Sequence, residues 1–246
     1  MSRRLSIPRP AVWLAAAVLT ACFTADQPTT VLQPPDAAHR NVTSTAGSLV
    51  ISQVYGAGGN SGSTLKNDYI EIFNPGSSPV STAGWSVQYA SAAGTSWQVT
   101  ALVTLTVPPG GYYLIQESQG TGGSVDLPTP DASGTIAMSG TDGKVALVNN
   151  TFALTGACPT ATTSAIDIVS YGSGNCVVTG AAAQALTVTT ADFRNQGGCA
   201  YTGNPSADFT RATASPRNRT SPASVCVAGG QPATVTVTPS SANVFV

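Results

Sequence analysis

From residue 48 onward, apolar and polar positions alternate over short runs, and apolar residues rarely recur at helical spacing. "LVISQVY" (49–55) reads as a strand, and "GAGGNSGSTLKND" (56–68) as a glycine-rich loop. "YIEIFNP" (69–75) alternates inward and polar positions and stops at Pro75. "WSVQYAS" and "TSWQVTAL" follow as strands separated by a turn, and "GGYYLIQES" is another after the Pro108-Pro109-Gly110 turn. In "GTIAMSGTDGKVALVNN" (134–150), Asp142-Gly143 lies between two apolar runs and predicts a tight hairpin. "AIDIVSYGSG" is a further strand, whereas "AAAQALTVTTADFRN" (181–195) reads equally as a short helical turn or a loop. Seven or more short strands without a long amphipathic helix predict an all-β chain, an Ig-like β-sandwich over 48–226.

The remaining segments differ in kind. Arg3, Arg4 and Arg9 precede the apolar "AVWLAAAVL", which at nine residues is too short to span a bilayer and reads as an export signal over 1–22. "LTAC" ends it as a lipobox would, making Cys22 the lipidated first residue of an exported, membrane-anchored lipoprotein; the alternative is ordinary cleavage nearby. Phe23 after that cysteine points to the outer membrane or cell surface. Residues 23–47 are rich in Pro, Thr and Ala and read as a flexible tether. Residues 227–246 contain a fresh alternating strand, "PATVTVTPSSANVFV", which resembles the opening of a bacterial Ig-like domain; the alternative is a last strand of the main sandwich.

Composition narrows the chemistry. Removing the signal leaves seven basic against eleven acidic residues, a net charge of −4, which disfavours phosphate-backbone binding as the main task. The single histidine, His39, lies in the tether, so the sandwich has no imidazole for a Ser–His–Asp or Cys–His centre. With Cys22 lipidated, Cys158, Cys176, Cys199 and Cys226 are an even number in an exported chain and read as two disulfides. Three connectivities are possible, and sequence order favours Cys158–Cys176 with Cys199–Cys226.

Several residues invite a functional reading. Asp68 and Glu71 are three apart on one strand and so face opposite ways, which prevents them from sharing a substrate or metal. Glu71 is expected as a buried acceptor for the glycine-rich loop, and Asp68 with Asn67 as a loop cap at the strand entry. Asp126, Asp131 and Asp142, in turns, are calcium candidates, although turn aspartates ordinarily bond local backbone. The glycine-rich loop lacks a GK[ST] ending and a following helix, so it is no phosphate cradle; it is a mobile, exposed place for partner contact. Trp85, Trp97, Tyr89, Tyr112 and Tyr113 are candidates for a carbohydrate-stacking surface, with Trp85 expected in the core and Trp97 exposed. Arg194, Arg211, Arg217 and Arg219 are either nucleic-acid contacts or scattered solubilising charge.

Read in order, "ISQVY" (51–55), "DYIEIFN" (68–74) and "GWS" (84–86) resemble a bacterial lamin tail domain. The likeness continues through "GTSWQVT", "PPGGYYLIQE", "GKVALVNN", "DIVSYG" and "ADFTRATASPRN", covering about 48–219. Gln53 stands where the family usually has an acid. The resemblance implies an Ig-like sandwich in which Asp68, Glu71, Asn74 and Trp85 are structural motif residues and no catalytic residue is carried over. It implies a non-catalytic, cofactor-free module that binds a protein or cell-envelope polymer. The alternative is an accessory domain that holds substrate, such as nucleic acid, for a secreted nuclease or phosphatase.

Overall fold

The computed structural model describes residues 48–160 and 164–226. Cys22, His39, the tether and the 227–246 strand lie outside the described residues.

Two sheets form the body. The first contains β1 (Val50–Tyr55), β2 (Asn67–Phe73), β7 (Tyr112–Gln119), β8 (Ala132–Ser133), β11 (Thr190–Arg194) and β12 (Phe209–Thr213). Its order is β12-β11-β1-β2-β7-β8, antiparallel except for the β7–β8 pair. The second contains β4 (Ser86–Ala90), β5 (Gln98–Ala101), β9 (Gly143–Val148) and β10 (Ala165–Tyr171), ordered β10-β9-β4-β5. A small ladder of β3 (Val80–Ser81) and β6 (Thr106–Val107) lies apart from both sheets.

Between the sheets lies one apolar layer. Ile51, Val54, Ile70, Ile72 and Ile115 come from the first sheet, and Val87, Val145, Leu147 and Val169 from the second. Burying each aliphatic side chain contributes roughly 1.5–3 kcal/mol. The all-β sandwich expected from the alternation is the fold observed.

The alternation read in β2 is incomplete. All seven of its residues are buried, because the outward positions are covered as well. Tyr55, Tyr69 and Leu114 pack in one outer cluster, and Val50, Phe73 and Tyr112 in another, against which Cys199 and Cys226 lie. Over this face runs residues 214–226, a strap bonded successively to Thr189, Gln53, Glu71, Asp131 and Gly110.

The Asp142-Gly143 hairpin is not formed. Gly143 opens β9, which pairs with β4 and β10, while 134–136 runs beside β7 through the Gly134 and Ser118 amides. Gly143 is not in the left-handed region; glycine is required because a Cβ would lie 2.6 Å from the Tyr89 ring and 2.8 Å from the Tyr171 hydroxyl. The undecided stretch 181–195 contains a loop and then β11.

Cys158–Cys176 and Cys199–Cys226 are both disulfides, so the order-based pairing holds. Such bonds accompany folding in an oxidising environment. Among the described residues, no helix is long and apolar enough to cross a membrane.

Candidate functional site: the loop end and the acids beneath it

At one end of the sandwich four loops are laced together through their backbones. The β1–β2 loop closes on itself through Gly59 N–H to the Leu65 carbonyl at 2.8 Å. The loop after β7 joins it, with Gly122 N–H to the Gly59 carbonyl at 2.7 Å and Gly120 N–H to the Lys66 carbonyl at 3.1 Å. Gly59 has φ +69°, and a Cβ there would lie 2.2 Å from Gly120 Cα, so only glycine permits the approach. The 134–142 segment touches the same loop, since a Cβ on Gly140 would meet Ala57 Cβ at 3.1 Å. The 183–189 loop completes the group: Leu186 N–H donates to the Thr141 carbonyl at 3.3 Å, and Tyr55 donates to the Val188 carbonyl at 2.6 Å. The loop expected to be mobile is instead bonded on several sides.

The base of this end is Asp68, only 4% exposed. Its Oδ1 accepts from Gly58 N–H and its Oδ2 from Met138 N–H, each at 2.8 Å, so one carboxylate ties the first loop to the third. Burial pushes its pKa up to about 7, against the lowering effect of those two amides, with the nearby Glu117 adding to the rise. Asn67 beside it donates to the Glu117 carbonyl. Asp68 therefore ties loops as expected, whereas the Asn67 side chain bonds strand β7 and not a loop.

Glu71 does not serve the glycine-rich loop; Asp68 does. Glu71 points to the outer face, where Ser52 and Gln53 donate to it at 2.5 and 2.8 Å. Arg217 from the strap adds its backbone N–H at 2.7 Å to Oε2 and its Nη2 at 2.7 Å to Oε1. The guanidinium stacks 3.9 Å from the Tyr112 ring centre and donates to its hydroxyl. Burial raises the Glu71 pKa, and Arg217 is the chief opposing influence. Gln53 fits where an acid is usual because its amide can donate to Glu71 and the Ser215 carbonyl while accepting from the Tyr69 hydroxyl. A carboxylate at Gln53 would face Glu71 with like charge.

Asn74 Nδ2 donates to the Ser78 and Val107 carbonyls and its Oδ1 accepts from Gly76 N–H, which closes the turn after β2. Trp85 is only partly buried against the main core, whereas Trp97 is 5% exposed and donates to the Gly156 carbonyl. Trp85 thus lies at the margin of the core it was expected to join, and Trp97 is buried where exposure was expected. The reason is the 149–157 segment, whose Leu154 closes a second core with Trp97 on the outer face of β4 and β9. Tyr89, Tyr112 and Tyr113 are also buried, so these aromatics form no stacking surface.

The four arginines form no single patch, and only Arg211 and Arg219 of them are exposed. Arg194 is buried; its Nη2 donates to Asp167 at 2.6 Å, its Nε to the Ile51 carbonyl at 2.7 Å, and its Nη1 lies 3.6 Å from Asp208. Asp167, from the opposite sheet, accepts from Ile51 N–H at 2.9 Å. The β1–β11 ladder pairs residues at Gln53 and Val54 only, so this cluster takes the backbone groups of Ile51 and ties the sheets together. Sequence reading missed it; the only signal was the lone charge of Asp167 in the apolar run "AIDIV" and the charges of "ADFRN" on a short strand. Arg219 lies 3.3 Å from Asp131, and Arg211 donates to the Ala185 carbonyl. Lys144, fully buried, donates to the Gly94 and Ala157 carbonyls and to Asn175 Oδ1 and sits over Trp97; desolvation lowers its pKa.

The calcium candidates are tied elsewhere. Asp126 pairs with Lys66 at 2.9 Å, Asp131 accepts from Leu114 and Arg219 backbone, and Asp142 accepts from Ser139 and Ser173. Among the described residues, no three His, Cys, Asp or Glu side chains converge as metal ligands do.

The lamin tail domain family model matches residues 42–173. The chain belongs to the lamin tail domain family. This is a non-catalytic kind of module, and the motifs named in the sequence lie where the fold needs them: Asp68 under the loop end, Glu71 beneath the strap, Asn74 in a turn. The match stops before β11, β12 and Arg217, although β11 and β12 complete the first sheet. No curated protein matches the chain.

Asp192 on β11 is fully buried, and neither of its carboxylate oxygens has a hydrogen-bond partner. Burial pushes its pKa up to about 7 against the attraction of Arg211. For Asp192 and Asp68, the folded state therefore keeps a proton that the unfolded chain releases near pH 4. The resulting stabilisation is fully present below that value and is lost as pH rises through about 7. The thermal midpoint of residues 48–226 is expected to be higher at pH 5 than at pH 8, with Asp192→Asn flattening part of the difference. A midpoint that rises steadily from pH 5 to pH 8 would refute this.

Proposed function

We propose that the protein is a non-catalytic, membrane-anchored extracytoplasmic module that holds a protein or cell-envelope polymer through the loop end. In this reading Cys22 carries the lipid, residues 23–47 are the tether, 48–226 is the working unit, and no cofactor is required. An outer-membrane or cell-surface position follows from Phe23. The disulfides support an exported chain.

The observation that carries the proposal is the chemistry of the loop rim. Asn60, Ser61, Thr64, Thr121, Ser124 and Thr187 are exposed above a base fixed by backbone bonds. Short hydroxyl and amide side chains on a rigid support make adaptable hydrogen bonds while losing little entropy on binding. The charges nearest this rim, Lys66 and Asp126, neutralise each other. Holding nucleic acid for a neighbouring nuclease needs a cluster of free cations, yet Arg194 and Arg217 are committed to carboxylates and Lys144 is buried, which leaves Arg211 and Arg219 as the exposed arginines among the described residues.

The test is co-sedimentation of purified residues 48–226 with isolated cell envelopes and, separately, retention on duplex DNA at low salt. Envelope binding lost in the Ser61→Arg/Ser124→Arg double variant, at unchanged melting temperature, is the expected result. Binding that ignores the double variant would remove the loop end from the proposal. Salt-sensitive DNA retention without envelope binding would replace it with the nuclease-accessory reading.

A further inference from the structure

Asp192 and Arg211 occupy directly opposed positions on β11 and β12. Side chains opposite one another in an antiparallel pair share a face and have Cβ atoms about 4.5–5.5 Å apart. Yet the two are not paired. Asp192 is enclosed with both oxygens unpartnered, while the Arg211 guanidinium reaches away and donates through Nη1 to the Ala185 carbonyl at 2.7 Å. Arg211 is exposed and free to turn; Asp192 is not.

The other groups facing Asp192 offer it nothing. Arg194, two residues along the same face of β11, is committed to Asp167, Asp208 and the Ile51 carbonyl. From β1 the opposed residue is the apolar Val54. The 183–189 loop contains no titratable residue. Arg211 is thus the single cation among the described neighbours with an alternative position that would satisfy the carboxylate.

We infer that Arg211 is a two-position latch, holding the Ala185 carbonyl when Asp192 is protonated and pairing with Asp192 when it is ionised. A neutral Asp192 makes little demand on the guanidinium, and the 183–189 loop stays held at the loop end through Ala185. An ionised, enclosed carboxylate without a partner is strongly unfavourable, so it draws Arg211 inward and Ala185 is released. The raised acidity range of Asp192 places the changeover near neutral pH. The two ends of the loop stay tied, by Ala183 N–H to the Ser170 carbonyl and by Tyr55 to the Val188 carbonyl, but in its middle the remaining bond, from Leu186 N–H to the Thr141 carbonyl, is long at 3.3 Å, so 184–187 then loosens. The latch stands whatever the rim binds, because it concerns the loop alone.

Two measurements on residues 48–226 test it. The first is amide hydrogen exchange across 184–187 at pH 6 and pH 8.5, corrected for intrinsic rates. Protection is expected to fall about tenfold or more at the higher pH, the effect of moving a group across one unit of its titration. Asp192→Asn is expected to keep the pH 6 level at both values, and Arg211→Gln to show the loosened level at both. Equal protection in the wild type at both pH values, or a pH dependence retained in Asp192→Asn, overturns the latch. The second measurement needs no variant: a carboxyl-carbon titration of Asp192 with a midpoint in the ordinary range near 4 also overturns it.

Discussion

Replacing Arg194 by methionine is expected to cost about 3–5 kcal/mol of folding stability, the usual loss when one partner of a buried ion pair is removed. Three dependent groups lose their partner together. Asp167 keeps only the Ile51 N–H as a donor, the Ile51 carbonyl loses the donor Arg194 Nε, and Asp208 retains only its bonds from Thr202. Burial already raises the Asp167 pKa, and Arg194 is the main influence holding it down. Asp167 in the variant therefore holds its proton to a higher pH, and the loss is smaller at pH 5 than at pH 8. Urea unfolding at the two pH values measures both effects. A loss below about 1 kcal/mol at pH 8 would place the cluster among ordinary surface ion pairs. The companion Asp167→Asn/Arg194→Met variant removes the stranded charge and is expected to recover part of the loss.

The second large effect concerns where the domain ends. Residues 48–173, the described part of the family match, are expected not to fold cooperatively, whereas 48–226 are. The shorter chain lacks β11 and β12, which leaves β1 as a long open edge. It also lacks Arg194 and Arg217, leaving Asp167 and Glu71 buried without their cations. Cys158 loses Cys176, and the outer face with Tyr69, Phe73 and Tyr112 is uncovered. Each of the two stranded carboxylates alone would remove much of the roughly 5–15 kcal/mol that stabilises a typical domain. Thermal unfolding followed by circular dichroism distinguishes the outcomes, since only the longer chain should give a sigmoidal transition. A cooperative transition in 48–173 would show that the strap and last strands are dispensable.

Short alternating runs, turn residues and the order of motifs were enough to read the sandwich, and with it the family. The pairing of cysteines in sequence order was legible for the same reason, since each pair lies close along the chain, and for Asp68 only the nearer donor, Gly58, was within reach of that reading. The misreadings have a common cause. Gly143 looked like a turn glycine because Asp-Gly signals a hairpin locally; its real constraint is two tyrosine rings from β4 and β10. Trp97 looked exposed between Ser96 and Gln98, and it is buried because a distant segment, 149–157, covers it.

By itself, the sequence determined the local period, the turns, the likeness to lamin tail domains and the scarcity of charge. Only the tertiary structure decided where that charge went. Of the motif acids, Asp68 found its donors 10 and 70 residues away, and Glu71 found its cation 146 residues away. A carboxylate on an alternating strand looks solvent-facing until something covers it. Here the strap covers the outer face and the loops cover the end, and burial then requires each charge to have a partner brought close by folding alone.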